Sequence, residues 1–330
     1  MLKKKRIWLG AIISVIFLGL FFRQMSLSDL QHALGEARYV YLAPAIVIYF
    51  ISLAFRAIRC HFLLRHLKPL SFGTLFGLLS IGYMVNNISP LRLGDFARSY
   101  LLGEREEISK ASALGNIAVE RTLDGVVLVL FMAVAGISLS LTPFLTQLGY
   151  WAGIAFISVL SAMIIIVLFP SYILRFVAWF IKFIPVKLGK RMHELALLII
   201  DGFNVFRRPK LLAASVLLSV PIWLCEAWMY YVVGLGFQLQ LSLEIVIMIT
   251  AASNLAVSIP SSQGGVGPFE FFAAQTVMLT AVAPELAAAY ALVLHITLLL
   301  PVTLLGMFYL GRYKMALREL LTMDLRQKAD

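Results

Sequence analysis

Charge is scarce in this sequence. Asp, Glu, Lys and Arg make up 14% of its 330 residues, against 61% hydrophobic residues, and the mean hydropathy is +0.91. That balance excludes an ordinary soluble domain, in which roughly a quarter of the residues are charged. Cysteine is nearly absent. Cys60 and Cys225 lie in or beside apolar runs without metal-ligand spacing, which argues against a disulfide framework and for two small core hydrophobes. Acidic residues are also scarce, 17 against 28 Lys and Arg, for a formal net charge of +11. In a chain this apolar, the excess belongs in cytoplasmic loops under the positive-inside rule rather than on a nucleic-acid surface. The composition describes an all-α polytopic membrane protein with no room for a sizeable soluble domain, and no cofactor is expected.

What is present is a series of apolar runs with charged punctuation. Lys3-Lys4-Lys5-Arg6 precedes Ile7–Phe22, a layout shared by signal peptides. No convincing small-residue cleavage site follows, so an uncleaved first helix with a cytoplasmic N-terminus is expected. Gln24–Arg38 reads as an interfacial helix. Tyr39–Cys60 reads as a span ending in a cationic group of Arg56, Arg59, Arg65 and Lys68. Further spans are expected over 111–137, 149–169, 211–235 and 286–310. The cationic stretch 171–210 has apolar residues at helical spacing, as in two amphipathic helices on a membrane surface.

Two stretches resist being simple spans. Ser71–Ile88 runs into Asn86-Asn87-Ile88-Ser89-Pro90 and then Arg92, Gly94 and Asp95; Leu243–Ile259 runs into Pro260, Gly264, Gly265, Gly267 and Pro268. Proline removes a backbone donor and glycine favours turns, and broken backbone at membrane depth survives only where protein or a watery cavity covers it. If 71–106 and 243–283 are re-entrant hairpins, the uncharged linkers 138–148 and 236–242 face outward. The segments 171–210 and 312–330, with 8 and 5 Lys and Arg, then face the cytoplasm, as do both termini. Six full spans and two oppositely entering hairpins result. The order Asn87, Pro90, Gly94, Asp95, then a span, is repeated by Asn254, Pro260, Gly267, Glu270, then a span. Units 71–137 and 241–311 therefore form a candidate inverted repeat, a recurrent transporter design.

The candidate site residues follow from this arrangement. Arg92, Asp95 and Arg98 fall on one helix face, where Asp95 can pair with one arginine and leave the other for an anion such as a lipid phosphate; solubilising an interfacial helix is the alternative. Glu120, Arg121 and Asp124 lie inside a span, where each charge costs about 2.5–3.5 kcal/mol unless it is partnered or functional. Stapling helices together is one role, and pairing with Arg92 or Arg98, or binding a proton, are others. Asn87, Pro90 and Gly94 shape the first hairpin, and Asn254, Pro260, Gly264, Gly265, Gly267 and Glu270 the second. The glycine run is not a nucleotide loop, because no Lys-Ser/Thr follows it. Glu226 and His295 read as lone polar residues inside spans.

Taken together, Asn86-Asn87…Pro90-x-Arg92-x-Gly94-Asp95-x-x-Arg98, Glu120-Arg121-x-x-Asp124 and Pro260-x-x-x-Gly264-Gly265-x-Gly267-x-x-Glu270 resemble the lysylphosphatidylglycerol synthase transmembrane region family, over roughly residues 7–312. Asp95 stands where glutamate is more usual. The resemblance implies a single flippase-like domain over 1–330 that translocates a phospholipid or other polar lipid, with no catalysis of its own and with membrane lipids as partners. The soluble synthase domain of the two-part members is not expected here, and a separate lipid-modifying enzyme is a conceivable partner. Two other readings stand beside it. A lipid-linked glycosyltransferase is disfavoured because the first outward loop offers only Asp29 and Glu36, seven apart and without a paired acidic motif. A proton-coupled small-solute transporter would use Glu120, Asp124 or Glu270.

Overall fold

In the computed structural model of the chain, residues 2–23, 26–89, 93–183, 186–259, 261–315, 317 and 320 are described. They form α-helices joined by 3-10 turns and short loops, and no strand occurs among them. The helices are α1 (Leu2–Phe22), α2 (Leu27–Glu36), α3 (Leu42–Leu64), α4 (Phe72–Ile88), α5 (Gly94–Glu106), α6 (Lys110–Gly136) and α7 (Pro143–Leu168). They continue with α8 (Pro170–Ile181), α9 (Val186–Gly202), α10 (Pro209–Gly236), α11 (Leu243–Ala256), α12 (Pro268–Val277) and α13 (Pro284–Arg312). Four of these, α3 with its leading turn from Tyr39, α7, α10 and α13, are long and apolar enough to cross a membrane. With 27 residues, α6 spans about 40 Å at 1.5 Å per residue, but Glu120, Arg121 and Asp124 break its apolar run.

The molecule is apolar outside and polar within, the arrangement a lipid solvent requires. Trp151, Ile157 and Ile165 on α7, Leu217 and Trp228 on α10, and Leu300, Leu304 and Phe308 on α13 are exposed, whereas Arg56, Arg59, Arg98, Glu120, Asp124, Glu226 and His295 are buried. This is a multi-pass membrane protein.

Several boundaries differ from those expected. α3 does not end at Cys60 but runs to Leu64, so Arg56 and Arg59 lie inside a helix and point into the core instead of fringing a loop. α7 begins at Pro143 and not at Gly149, because the Thr142 hydroxyl accepts the Leu145 N–H and Pro143 occupies the first turn, where its missing donor costs nothing. Two helices do fill 171–210. α9, however, is docked on the bundle: Gly202 packs against the Ser112 and Asn116 backbone of α6, and His66 Nε2 lies 3.1 Å from the Asp201 carbonyl.

Both broken stretches are helical hairpins. In the first, α4 and α5 approach so closely that a Cβ on Gly94 would sit on the Gly82 carbonyl, and the Gly94 N–H donates to Asn86 Oδ1 at 2.8 Å. In the second, α11 ends at Ala256 and a glycine turn leads to α12. Gly264, Gly265 and Gly267 there have φ of +67°, +87° and +100°, values that only glycine adopts without strain. Ser14 on α1 braces this turn, donating to the Val266 carbonyl and accepting from the Ser262 N–H.

The packing pairs the two halves of the chain crosswise. α3 lies antiparallel on α10, with Arg38 bonded to Gly236, Ser52 to Ile222 and Arg59 to Ser219. α4 packs on α13 and α11 on α6, α5 returns onto α6, and α12 onto α13.

Candidate functional site

Where the hairpin tips meet α3, α6, α10 and α13 there is a cavity of about 440 Å³. Asn86, Asn87 and Tyr83 of α4, Asp95 of α5, Arg121 and Asp124 of α6, and Arg56 of α3 line it. So do Trp223 and Glu226 of α10, Asn254 of α11, Gly264 of the turn, Phe269 of α12 and His295 of α13. A wall this polar inside an apolar bundle is costly unless the groups satisfy one another, and most of them do.

An ionic brace runs from the cavity wall into the core behind it. Arg59, with no exposed surface, donates to Asp124 Oδ1 at 2.5 Å and to Oδ2 at 3.0 Å, and to Ser219 at 2.9 Å. Asp124 also accepts from Trp223 Nε1 at 3.1 Å. Arg98 makes a two-pronged contact with Glu120 at 3.0 and 3.1 Å, and Glu120 lies 3.7 Å from Arg59. Arg56 donates to Glu226 at 2.7 Å and stacks over Trp223 at 4.5 Å. Glu226 in turn accepts from Tyr230, whose hydroxyl accepts from Asn254. Each bidentate fork fixes both partners, so α3, α5, α6 and α10 are tied at one level.

One ion pair is placed differently. Arg121 donates to Asp95 at 2.7 and 3.0 Å, yet both side chains keep about 30% of their surface exposed, 32% and 29%, and both line the cavity. Asp95 therefore pairs with Arg121 rather than with Arg98, and Arg98 is not left open to an anion. Tyr83 lies between two guanidiniums, Arg121 at 5.5 Å and Arg56 at 5.9 Å, and its buried hydroxyl has no hydrogen-bond partner among the described residues.

The remaining expected residues take distinct places. Asn87 donates to the Leu299 carbonyl and the Thr303 hydroxyl on α13 at 3.2 and 3.0 Å, so the first hairpin tip is held by a helix of the other half. Gly265 and Gly267 shape the turn without lining the cavity. Glu270 accepts the Gly267 N–H at 2.7 Å and meets His295 Nδ1 at 2.6 Å. Pro90, Arg92 and Pro260 lie outside the described residues. Neither Glu226 nor His295 is a lone polar group. Arg56, Arg59, Tyr83 and Trp223 belong to the site although the sequence did not single them out. The only sequence signal was Arg56 and Arg59 at helical spacing inside an otherwise apolar run.

Comparison with known proteins adds a family to this geometry. The model of the lysylphosphatidylglycerol synthase transmembrane region matches residues 7–306. The chain belongs to that family. Over 302 residues it is 24% identical to a UPF0104 membrane protein of Methanothermobacter thermautotrophicus, covering 86% of this chain and 88% of that one. A UPF0104 membrane protein of Methanocaldococcus jannaschii is 28% identical over 123 residues, 36% of this chain and 37% of the other. The glycosyltransferase AglD of Haloferax volcanii is 34% identical over 137 residues, 39% of this chain but only 22% of that protein. In the family to which this chain belongs, the matched unit is thus a membrane region.

Proposed function

We propose that the protein is a translocase for a phospholipid or other polar lipid in the cytoplasmic membrane, with the headgroup passing through the cavity between the hairpin tips. The observation that carries this reading is a cavity lined in part by charged and polar side chains, set between two broken helical hairpins inside a bundle whose outer surface is apolar. A lipid headgroup crossing a bilayer needs such a polar path, and broken helices are tolerated where they line one.

The crosswise packing supports the inverted repeat. Each half supplies a long helix (α3 or α10), a broken hairpin (α4–α5 or α11–α12) and a further span (α6 or α13), and the leading helices run antiparallel. A carboxylate at the start of each hairpin's second helix meets a basic side chain on the following span, Asp95 with Arg121 and Glu270 with His295, at separations of 26 and 25 residues. In this reading the repeat begins at α3 and α10, earlier than residues 71 and 241. The six-span topology with cytoplasmic termini belongs to the same proposal.

Arg121 and Asp95 are the pair we assign to the headgroup, because among the described residues they alone of the arginine pairs in the core keep substantial exposure. A phosphate can displace Asp95 from the planar fork of Arg121 while the Tyr83 hydroxyl supplies a further donor. Arg98 and Glu120 then hold the hairpin in place.

The partial similarity to a glycosyltransferase favours keeping a glycosylated lipid among the cargoes. The test is reconstitution in vesicles carrying fluorescent phosphatidylglycerol or a fluorescent glycosyl diacylglycerol, with outer-leaflet label bleached chemically. The protein is expected to speed exchange of at least one probe between leaflets by about tenfold or more over protein-free vesicles, a barrier change of about 1.4 kcal/mol. Folded protein with protein-free rates for both probes contradicts the reading.

A further inference from the structure

We propose that Glu270 and His295 form a proton-carrying site whose occupancy latches the glycine turn, so that passage through the cavity is coupled to proton movement; its role in transport rests on the reading above, the proton site itself on geometry. His295 Nε2 lies 3.1 Å from the Gly264 carbonyl oxygen and Nδ1 lies 2.6 Å from Glu270 Oε1. A carbonyl only accepts, so Nε2 carries a hydrogen. The Nδ1–Oε1 contact needs a second, on the ring or on the carboxyl. The pair therefore holds one proton more than a neutral imidazole and a carboxylate, and its net charge is zero.

This pair differs from the others in the core. Asp95, Glu120, Asp124 and Glu226 each meet an arginine, which keeps its proton at any physiological pH. Glu270 meets a histidine, the side chain suited to exchanging one. Its other oxygen is engaged by the Gly267 N–H. Glu270 and His295 are buried, at 4% and 3% exposure, and the ring lies flat on Phe269 at 4.1 Å, which helps hold both nitrogens on their partners. On α10, Tyr230 packs edge-on to Phe269 at 6.4 Å and is bonded to Glu226. The same cavity is lined by Asp95 with Arg121, and by Asp124 and Glu226 with Arg56.

Release is a single proton transfer. One N–H or O–H bond breaks, the proton passes to water entering the cavity, and the pair goes from zero to one negative charge. An imidazole nitrogen lone pair then faces an oxygen lone pair, either at Glu270 or at Gly264, and the turn loses its hold on α13. The glycines at positive φ can rearrange at little cost. The turn is also where the hairpins meet, a Cβ on Gly264 falling 3.8 Å from the Asn87 carbonyl oxygen. Loss of the proton thus loosens the contact between the two tips.

The test uses the full chain in vesicles of phosphatidylglycerol and phosphatidylethanolamine holding a pH-sensitive dye, with a membrane potential set by potassium and valinomycin. The wild type is expected to move protons, and His295→Gln, which keeps a donor and an acceptor but does not titrate, is expected to fall about tenfold or more, to the protein-free rate. Glu270→Gln is expected to do the same and carries the test if the histidine variant fails to fold. Proton flux absent from the wild type, or retained by either folded variant, overturns the proposal. Fluorescent phosphatidylglycerol or glycosyl diacylglycerol in the same vesicles separates the two claims: His295-dependent proton flux with neither probe moving leaves the proton site standing and sinks the lipid reading.

Discussion

Replacing Asp124 with alanine is expected to destabilise the fold by about 3–5 kcal/mol, the cost of leaving a buried charge without its partner. Arg59 is fully buried, and Asp124 takes both prongs of its guanidinium. Without that carboxylate, Arg59 keeps Ser219 and a 3.7 Å approach to Glu120, and the Trp223 N–H loses its acceptor. Total stabilities of folded domains are about 5–15 kcal/mol, so the variant should unfold at a much lower denaturant concentration or fail to purify as a single species. The double variant Arg59→Met with Asp124→Leu removes both charges and should recover most of the loss, since well-packed apolar pairs often replace buried ion pairs at little cost. Removing the exposed Lys110–Glu104 pair should change stability by less than about 1 kcal/mol. Equal unfolding midpoints for Asp124→Ala and the wild type would show that the brace does not hold the helices.

Gly94→Ala is expected to cost about 3 kcal/mol, the upper end for overpacking. The added methyl would lie 1.9 Å from the Gly82 carbonyl oxygen and 2.6 Å from the Asn86 side chain. Neither obstacle is the loose end of a flexible side chain. The Gly82 oxygen is helix backbone, and the Asn86 amide is held by the Gly94 N–H that it accepts. The hairpin must open, carrying Asp95 and Arg98 away from Arg121 and Glu120 and closing or distorting the cavity. Gly73→Ala is the control, because nothing lies within 4 Å of the added methyl; alanine there should raise stability by up to about 1 kcal/mol. Unfolding midpoints of the three proteins in detergent check the ordering.

How much of this was legible in the sequence depends on which physical signal carried it. Apolar runs and the scarcity of charge mark the helices, and Pro, Gly and Asn mark both hairpin breaks, because those signals are local. The Glu120–Arg121–Asp124 cluster was conspicuous for the same reason. Its partners were not. A charged residue near the end of an apolar run reads equally as a snorkelling cation or as a buried one. Arg56 and Arg59 looked like the fringe of a loop until α6 and α10 brought carboxylates to them from residues 120, 124 and 226. The same holds for Asp95, whose helical spacing to Arg98 gives no hint of its pairing with Arg121 on the returning helix. His295 looked solitary because its partners, Glu270 and the Gly264 carbonyl, lie 25 and 31 residues away. Long-range pairing, which decides which charges brace the fold and which face the cavity, leaves no mark on sequence spacing.

The central claim is that the cavity between the hairpin tips is the route of a lipid headgroup. Ser258 lines that cavity and is itself exposed, so a large side chain there should fill the route without disturbing the buried ion pairs. The direct measurement is leaflet exchange of the fluorescent lipid probes by Ser258→Trp in vesicles, alongside wild type of matched unfolding midpoint. The account predicts a fall of about tenfold or more, to the protein-free rate. Exchange by the folded tryptophan variant at the wild-type rate would contradict it.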